Sequence, residues 1–157
     1  MSPRSISDLA LHDAPVVRVD DTVEDAVKQL VESQLPAVPV VDQSGVYRGI
    51  FGEREFMKAR FPGYLNHLHG TAFLSRSLDD SLEKRDACRH EPVGNFMSTE
   101  HIDVGPDFAD TQVAELFLHH RVLVIPVVAD GQVKGVIMRQ DFFRAIAQRF
   151  LAGGTAA

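Results

Sequence analysis

Val38-Pro39-Val40-Val41 is followed by Asp42-Gln43-Ser44-Gly45, a run reaching Gly49-Ile50-Phe51, and then Glu55-Phe56. Further along, Ile125-Pro126-Val127-Val128 is followed by Asp130-Gly131, a run reaching Gly135-Val136-Ile137, and then Asp141-Phe142. The order is the same in both: apolar strand, turn, apolar strand, acid. A unit of this size cannot bury its apolar face alone, so two copies in register point to two small units that pack on each other. A functional site is expected in the clefts between them.

Outward from these stretches, each copy follows one plan. The β-branched runs at 38–41 and 46–51, and at 124–128 and 133–137, flank turns and read as hairpins. Proline cannot donate to a ladder, so Pro39 and Pro126 are expected at a strand start or on an edge. A short strand at 16–19 or 101–104 precedes each hairpin, led in by Asp8-Leu9-Ala10 or Asn95-Phe96-Met97. Between strand and hairpin lies an amphipathic helix. In the first copy Thr22 suits the N-cap, with Asp25 three residues on, and Val23, Ala26, Val27, Leu30 and Val31 fall on one face. In the second, Asp107 or Asp110 is the expected cap and Val113, Leu116 and Phe117 the stripe. A further helix closes each copy, at 53–61 before Pro62-Gly63 and at 139–151 before Gly153-Gly154. The reading is α/β, strand-helix-strand-strand-helix, twice: residues 5–61 and 92–150. Residues 62–91 carry Tyr64, Leu65, Leu68, Phe73, Leu74, Leu78 and Leu82, too apolar for a flexible linker, and read as an ordered helical insert.

Composition narrows the class. With 157 residues and 45% hydrophobic content, the chain can build a packed core, but each copy alone would be marginal. No apolar run approaches the roughly 20 residues of a membrane helix. Met1-Ser2-Pro3-Arg4 lacks a signal-peptide pattern, and one cysteine, Cys88, excludes an internal disulfide framework; a cytoplasmic setting is expected. The net charge of -6 argues against broad nucleic-acid binding.

The repeated apolar-Pro-Val-Val, turn, and Gly-to-acid spacing resembles the cystathionine-β-synthase (CBS) domain family, and specifically a tandem pair, or Bateman module. The resemblance implies two βαββα repeats related by a pseudo-twofold axis, with their sheets packed together. It also implies an adenosine compound in the clefts, pairing into flat homodimers, and regulation of another protein. Without an attached catalytic, transport or DNA-binding domain, such a module is expected to act in trans.

An adenosine ligand needs apolar walls for the base, a carboxylate for the ribose diol, and donors or positive charge for phosphate. In the family a Gly-x-x-Ser/Thr-x-x-Asp stretch supplies the last two. Here the second copy reads Gly135-Val136-Ile137-Met138-Arg139-Gln140-Asp141, keeping the acid and losing the hydroxyl. The first reads Gly49-Ile50-Phe51-Gly52-Glu53-Arg54-Glu55, with Gly52 for the hydroxyl and a longer acid. The His-Arg pair that often precedes the family's Pro-Val strand is absent at Leu123-Val124 and Pro36-Ala37. Because the resemblance sets the acid of one copy against the lead-in of the other, the better site is expected to join Ile137, Met138, Arg139 and Asp141 to His12, Val17, Val38 and Pro39. The poorer joins Phe51, Arg54 and Glu55 to Thr99, Ile102, Ile125 and Pro126. The expected ligand is AMP, ADP, ATP or S-adenosylmethionine, with no required cofactor.

Simpler roles compete for these residues. Asp141 and Glu55 fall in the first turn of their helices, where an acid stabilises the dipole without a ligand. Arg54 and Arg139 suit solvated surface, and Met138 suits core packing. His119-His120-Arg121 lacks an acid or cysteine at metal-ligand spacing, and the histidines of Tyr64-Leu65-Asn66-His67-Leu68-His69 alternate, so on a helix they share no face. Phe142, Phe143, Ile146, Ala147, Phe150 and Leu151 make a broad face for core or dimer contact. Two further classes stay open: a ligand-free dimerisation and interaction module, which the lost hydroxyls favour, and an enzyme, which no catalytic spacing supports.

Overall fold

The two apolar-Pro-Val-Val stretches form paired strands in two three-stranded sheets. The structure, a computed structural model, describes residues 6, 8, 10–60, 85–100 and 102–153. In the first repeat β2 (Val17–Arg18), α1 (Val23–Ser33), β3 (Ala37–Val41), β4 (Tyr47–Gly52) and α2 (Glu53–Arg60) follow in order. In the second come α3 (Asp110–His119), β5 (Val124–Ala129), β6 (Gln132–Met138) and α4 (Arg139–Gly153). A short strand at the chain's start, β1 (Leu11–His12), pairs with β6 of the other repeat, giving sheet orders β1-β6-β5 and β2-β3-β4.

Local chemistry sets most boundaries. Thr22 caps α1, its Oγ1 accepting from the Asp25 amide at 3.1 Å. The helix ends at Gln34, in the left-handed region at φ 60°, and Pro36 follows. Asp130 and Gly131 both take positive φ, 54° and 79°, as a two-residue type I′ hairpin requires. The first hairpin instead turns around Asp42, whose Oδ1 accepts from the Ser44 and Val46 amides at 2.8 and 3.0 Å.

Several expectations are corrected. The strand at 16–19 shrinks to Val17–Arg18. In place of a strand at 101–104, Val104 alone bridges Val127, and His101 lies outside the described residues. Neither Asp107 nor Asp110 caps α3: Ala109 is its N-cap, without a side-chain hydrogen bond, and Asp110 is its first residue. Val31, expected on the buried stripe of α1, is 72% exposed and lines an open apolar cavity. α4 runs on through Gly153. Residues 61–84, most of the expected insert, lie outside the described residues; the 3-10 helix Arg85–His90 packs on α1 and α2 and buries Cys88.

The prolines sit mid-strand, Pro39 in the centre strand of its sheet and Pro126 in an edge strand. Ile50, opposite Pro39, spends its amide and carbonyl on Ser98, so the Pro39–Ile50 pair exchanges no hydrogen bond. The missing Pro39 donor faces the side where β2 pairs only from Val40 onward. The Pro126 carbonyl likewise turns from β6 and accepts from the Val104 amide at 3.0 Å.

Two core clusters bind the repeats together. The one around Val38, Val40 and Phe51 also takes in Val124 and Val136 of the second repeat. The one around Ile125, Val127 and Ile137 takes in Ala10 from the chain's start. Fully burying such side chains contributes roughly 1.5–3 kcal/mol each, so neither repeat is complete without residues of the other.

Candidate functional site

The site is positioned by an exchange of lead-in segments. β1 lies antiparallel to β6, with Leu11 opposite Ile137 and His12 opposite Val136. In the other repeat Ser98 bridges Ile50, the Ile50 amide donating to the Ser98 carbonyl at 3.0 Å and the Ser98 amide to the Ile50 carbonyl at 2.8 Å. A glycine makes each approach possible: a β-carbon on Gly49 or Gly135 would lie 2.2 or 2.9 Å from the carbonyl oxygen of Ser98 or His12. Each helix then starts from the same anchor. The Glu53 amide donates to the Pro36 carbonyl at 3.0 Å, and the Arg139 amide to the Leu123 carbonyl at 2.9 Å. The lead-in of one repeat thus ends beside the helix N-terminus of the other, where the acids stand.

The two acids meet different surroundings. Asp141 Oδ2 lies 2.5 Å from His12 Nε2, the imidazole donating to the carboxylate. Glu55 turns back on its own helix, its Oε1 accepting from the Gly52 amide at 3.0 Å. That bond satisfies an amide at the start of α2, the ordinary task of an acid in this position.

Beside Glu55 a cleft of about 640 Å³ opens between the repeats. Ala37, Ile50, Ile102 and Val122 supply apolar walls; Arg54, Glu55, Ser98 and Glu100 line it from α2 and the second lead-in. His119, His120 and Arg121 close it from the end of α3. The volume falls in the roughly 300–1,000 Å³ range of small-ligand sites. The arrangement offers a carboxylate for hydroxyl donors, a guanidinium and imidazoles for an anion, and an apolar wall.

A second cavity, about 1130 Å³ and mostly apolar, lies between α1, α3 and α4. Leu30, Phe117, Leu118, Phe142 and Phe143 line it, and the Phe117 and Phe142 rings pack at a centroid distance of 5.6 Å.

The expected site residues separate accordingly. Arg54, Glu55 and Ile102 line the 640 Å³ cleft. Thr99 is exposed, with its neighbours Ser98 and Glu100 in the lining, and Phe51, Ile125 and Pro126 are buried behind it. On the other side His12 and Asp141 meet, while Met138 and Arg139 line the apolar cavity. Val17, Val38, Pro39 and Ile137 are buried in the body.

Sequence reasoning missed Ser98, Glu100 and the three basic residues at the end of α3. The place directly before the second Pro-Val strand is Leu123-Val124, and a His-Arg pair stands three residues upstream of it, at His120-Arg121. The short connection from α3 to β5 was the available signal. Leu123 is tied to the start of α4, so the residues just before it must pass the mouth of the cleft.

Comparison with known proteins agrees with this architecture. The family model described as the CBS domain matches residues 6–61 and 93–148. The chain is 22% identical over 137 residues to the CBS domain-containing protein YhcV of Bacillus subtilis, covering 87% of this chain and 81% of that one. The CBS domain of a membrane protein from Sphaerobacter thermophilus superposes with a TM-score of 0.67 and 27% identity, covering 89% and 86%. CBSX2 of Arabidopsis thaliana, solved in complex with AMP, superposes with a TM-score of 0.66 and 22% identity, covering 93% and 98%. With a repeated fold, an exchange of lead-ins and a family match in both halves, the chain belongs to the CBS domain family, in two copies.

Proposed function

We propose that this CBS pair is a non-catalytic regulatory module that binds an adenine nucleotide or related adenosyl compound beside Glu55 and acts on a partner protein in trans. The observation that carries this reading is the 640 Å³ cleft between the repeats, with Glu55 on one wall and His119, His120 and Arg121 on the other. The base would lie on Ile50, Ile102 and Val122. The ribose hydroxyls would donate to Glu55, and a phosphate would meet Arg121 and the imidazoles. AMP, ADP, ATP and S-adenosylmethionine are the candidates, and the AMP complex of CBSX2 supports an adenosyl class.

Thermal melting in millimolar AMP, ADP, ATP or S-adenosylmethionine tests the reading. Specific binding stabilises by mass action, about 2.7 kcal/mol at one hundred times the dissociation constant. Glu55→Ala should reduce the response. No rise with any of the four, using ligand-free protein, would end the adenosyl reading.

A second reading rests on the apolar cavity between α1, α3 and α4. Leu118 and Phe143 on its rim are 82% and 67% exposed, and Phe150 and Leu151 continue along α4 at 78% and 74%. An uncovered face of this kind suits pairing with a second copy. We infer a homodimer through it, with or without a ligand. Light scattering of a Leu118→Lys, Phe143→Lys variant should report a monomer where the parent is a dimer; a parent that is monomeric at high micromolar concentration rejects this.

A further inference from the structure

The charges that line the Glu55 cleft nearly cancel. Among the described residues α2 contributes Glu53, Arg54 and Glu55, and the second lead-in contributes Glu100. The end of α3 and its connection to β5 contribute His119, His120 and Arg121. While the imidazoles are neutral, three carboxylates face two guanidinium groups, and negative charge is in excess by one. Protonation of both imidazoles reverses the sign, leaving positive charge in excess by one. Of these side-chain types only imidazole ordinarily changes charge between about pH 5 and 8.

We propose that His119 and His120 make this cleft a pH-dependent anion site, one that holds a phosphorylated ligand more tightly as the imidazoles gain protons. The proposal rests on the adenosyl reading above and adds a regulation of the same site. A neutral imidazole offers one N–H donor; an imidazolium offers two donors and a charge. Glu53 and Glu100 set the baseline, because they repel a phosphate that Arg54 and Arg121 attract. His119, His120 and Arg121 are all exposed, so each charge acts through screening water. Two such gains tighten binding by about two- to ten-fold and no further.

The pair could also answer to protein acids alone. Glu100 lines the same cleft, and Glu115 stands one turn before His119 on α3, outside the cleft lining. Imidazoles that served only those acids would change folding stability with pH and leave phosphate affinity alone. The ligand's affinity therefore separates the two roles.

The test is calorimetry of AMP with the full chain and with a His119→Gln, His120→Gln variant, at pH 8 and at pH 6. Both side chains are exposed, so the variant should fold, which its Tm checks. A phosphate monoester takes up its second proton at about pH 6, and comparing parent with variant at each pH removes that common contribution. The two proteins should bind AMP alike at pH 8, and the parent about two- to ten-fold more tightly at pH 6. Adenosine, which lacks the phosphate, should show no such gap. A parent-to-variant ratio that is the same at both pH values overturns the proposal, and so does an equal gap with adenosine. AMP that binds neither protein at either pH ends the adenosyl reading. The pair is then judged on pyrophosphate, by its effect on Tm: a larger rise in the parent than in the variant at pH 6 alone supports the anion site, and equal rises reject it.

Discussion

Gly49 lies so close to Ser98 that a β-carbon on it would stand 2.2 Å from the Ser98 carbonyl oxygen. The obstacle is backbone, held by two hydrogen bonds between Ile50 and Ser98, and cannot swing away. Gly49→Ala should destabilise by about 1–3 kcal/mol, through lost packing between repeats. That corresponds to roughly 2–12 °C in Tm. Gly105→Ala, which meets nothing within 4 Å, is the control. Equal Tm values for the two variants would remove the exchange of lead-ins from the account of stability.

The two amphipathic helices differ in their caps. Thr22→Ala should cost about 1 kcal/mol, since it strips the Asp25 amide of its acceptor. Ala109 occupies the same position on α3, with extended φ and ψ of -111° and 154°, exposed, and without a side-chain acceptor. Ala109→Ser should therefore stabilise by about 0.5–1 kcal/mol, read as a higher urea midpoint at unchanged slope. Serine is preferred to aspartate because Asp107 and Asp110 stand nearby.

Gln34 ends α1 at φ 60°, a conformation that penalises a β-carbon. Gln34→Gly should raise stability by about 1 kcal/mol, a gain limited by the extra freedom of glycine in the unfolded chain. A lower melting temperature would mean that the Gln34 side chain, on the rim of the apolar cavity, contributes packing of larger value.

Asp42 carries a pH signature. Its carboxyl is held below the usual range, first by the hydrogen bond from the Val46 amide; partial desolvation opposes this, and Arg48 and the Ser44 amide add to the lowering. The folded pKa is depressed, so the contribution is present above the unfolded value of about 3.9. It is lost as the pH falls through the folded value. Asp42→Asn should be less stable than the parent at pH 7, with the gap narrowing below about pH 4. A gap independent of pH from 7 to 2 would assign the loss to turn geometry instead of charge.

Arg121 distinguishes phosphate from base recognition in the Glu55 cleft. If it meets the phosphate, Arg121→Ala should weaken AMP about tenfold, in the range of one charged hydrogen bond, and leave adenosine unchanged. Calorimetry with the two ligands gives the comparison. Equal weakening of both would move Arg121 to the base or to the cleft wall.

Much of the architecture was legible because it is local. The hairpins follow from β-branched runs and from Asp130-Gly131, and α1 follows from Thr22 and the spacing of Val23, Ala26 and Val27. Pro126 lies on an edge strand as expected, and Pro39 was misjudged because a ladder alternates: mid-strand proline is tolerated where its nitrogen faces away from the hairpin partner. β1 was not anticipated at all. Two residues carry no periodicity, and their pairing is fixed by β6, more than a hundred positions away.

The candidate site divides the same way. Glu55 and Asp141 were picked out through the resemblance, at the family's acid position six residues after Gly49 and Gly135. Ser98 could not, because it reaches the cleft only through the meeting of separate segments, and His119 to Arg121 were missed although the short connection from α3 to β5 pointed to them.

The amino-acid order alone determined the number and kind of elements and the duplication, since each depends on residues a few positions apart. The resemblance set His12 and Asp141 in one site, and only tertiary packing decided that the imidazole lies on that carboxylate while Glu55, its Oε1 on the Gly52 amide, lines an open cleft. The reason is that side chains at the two ends of a chain acquire a distance only when sheets register and helices dock, and no short-range pattern encodes that distance.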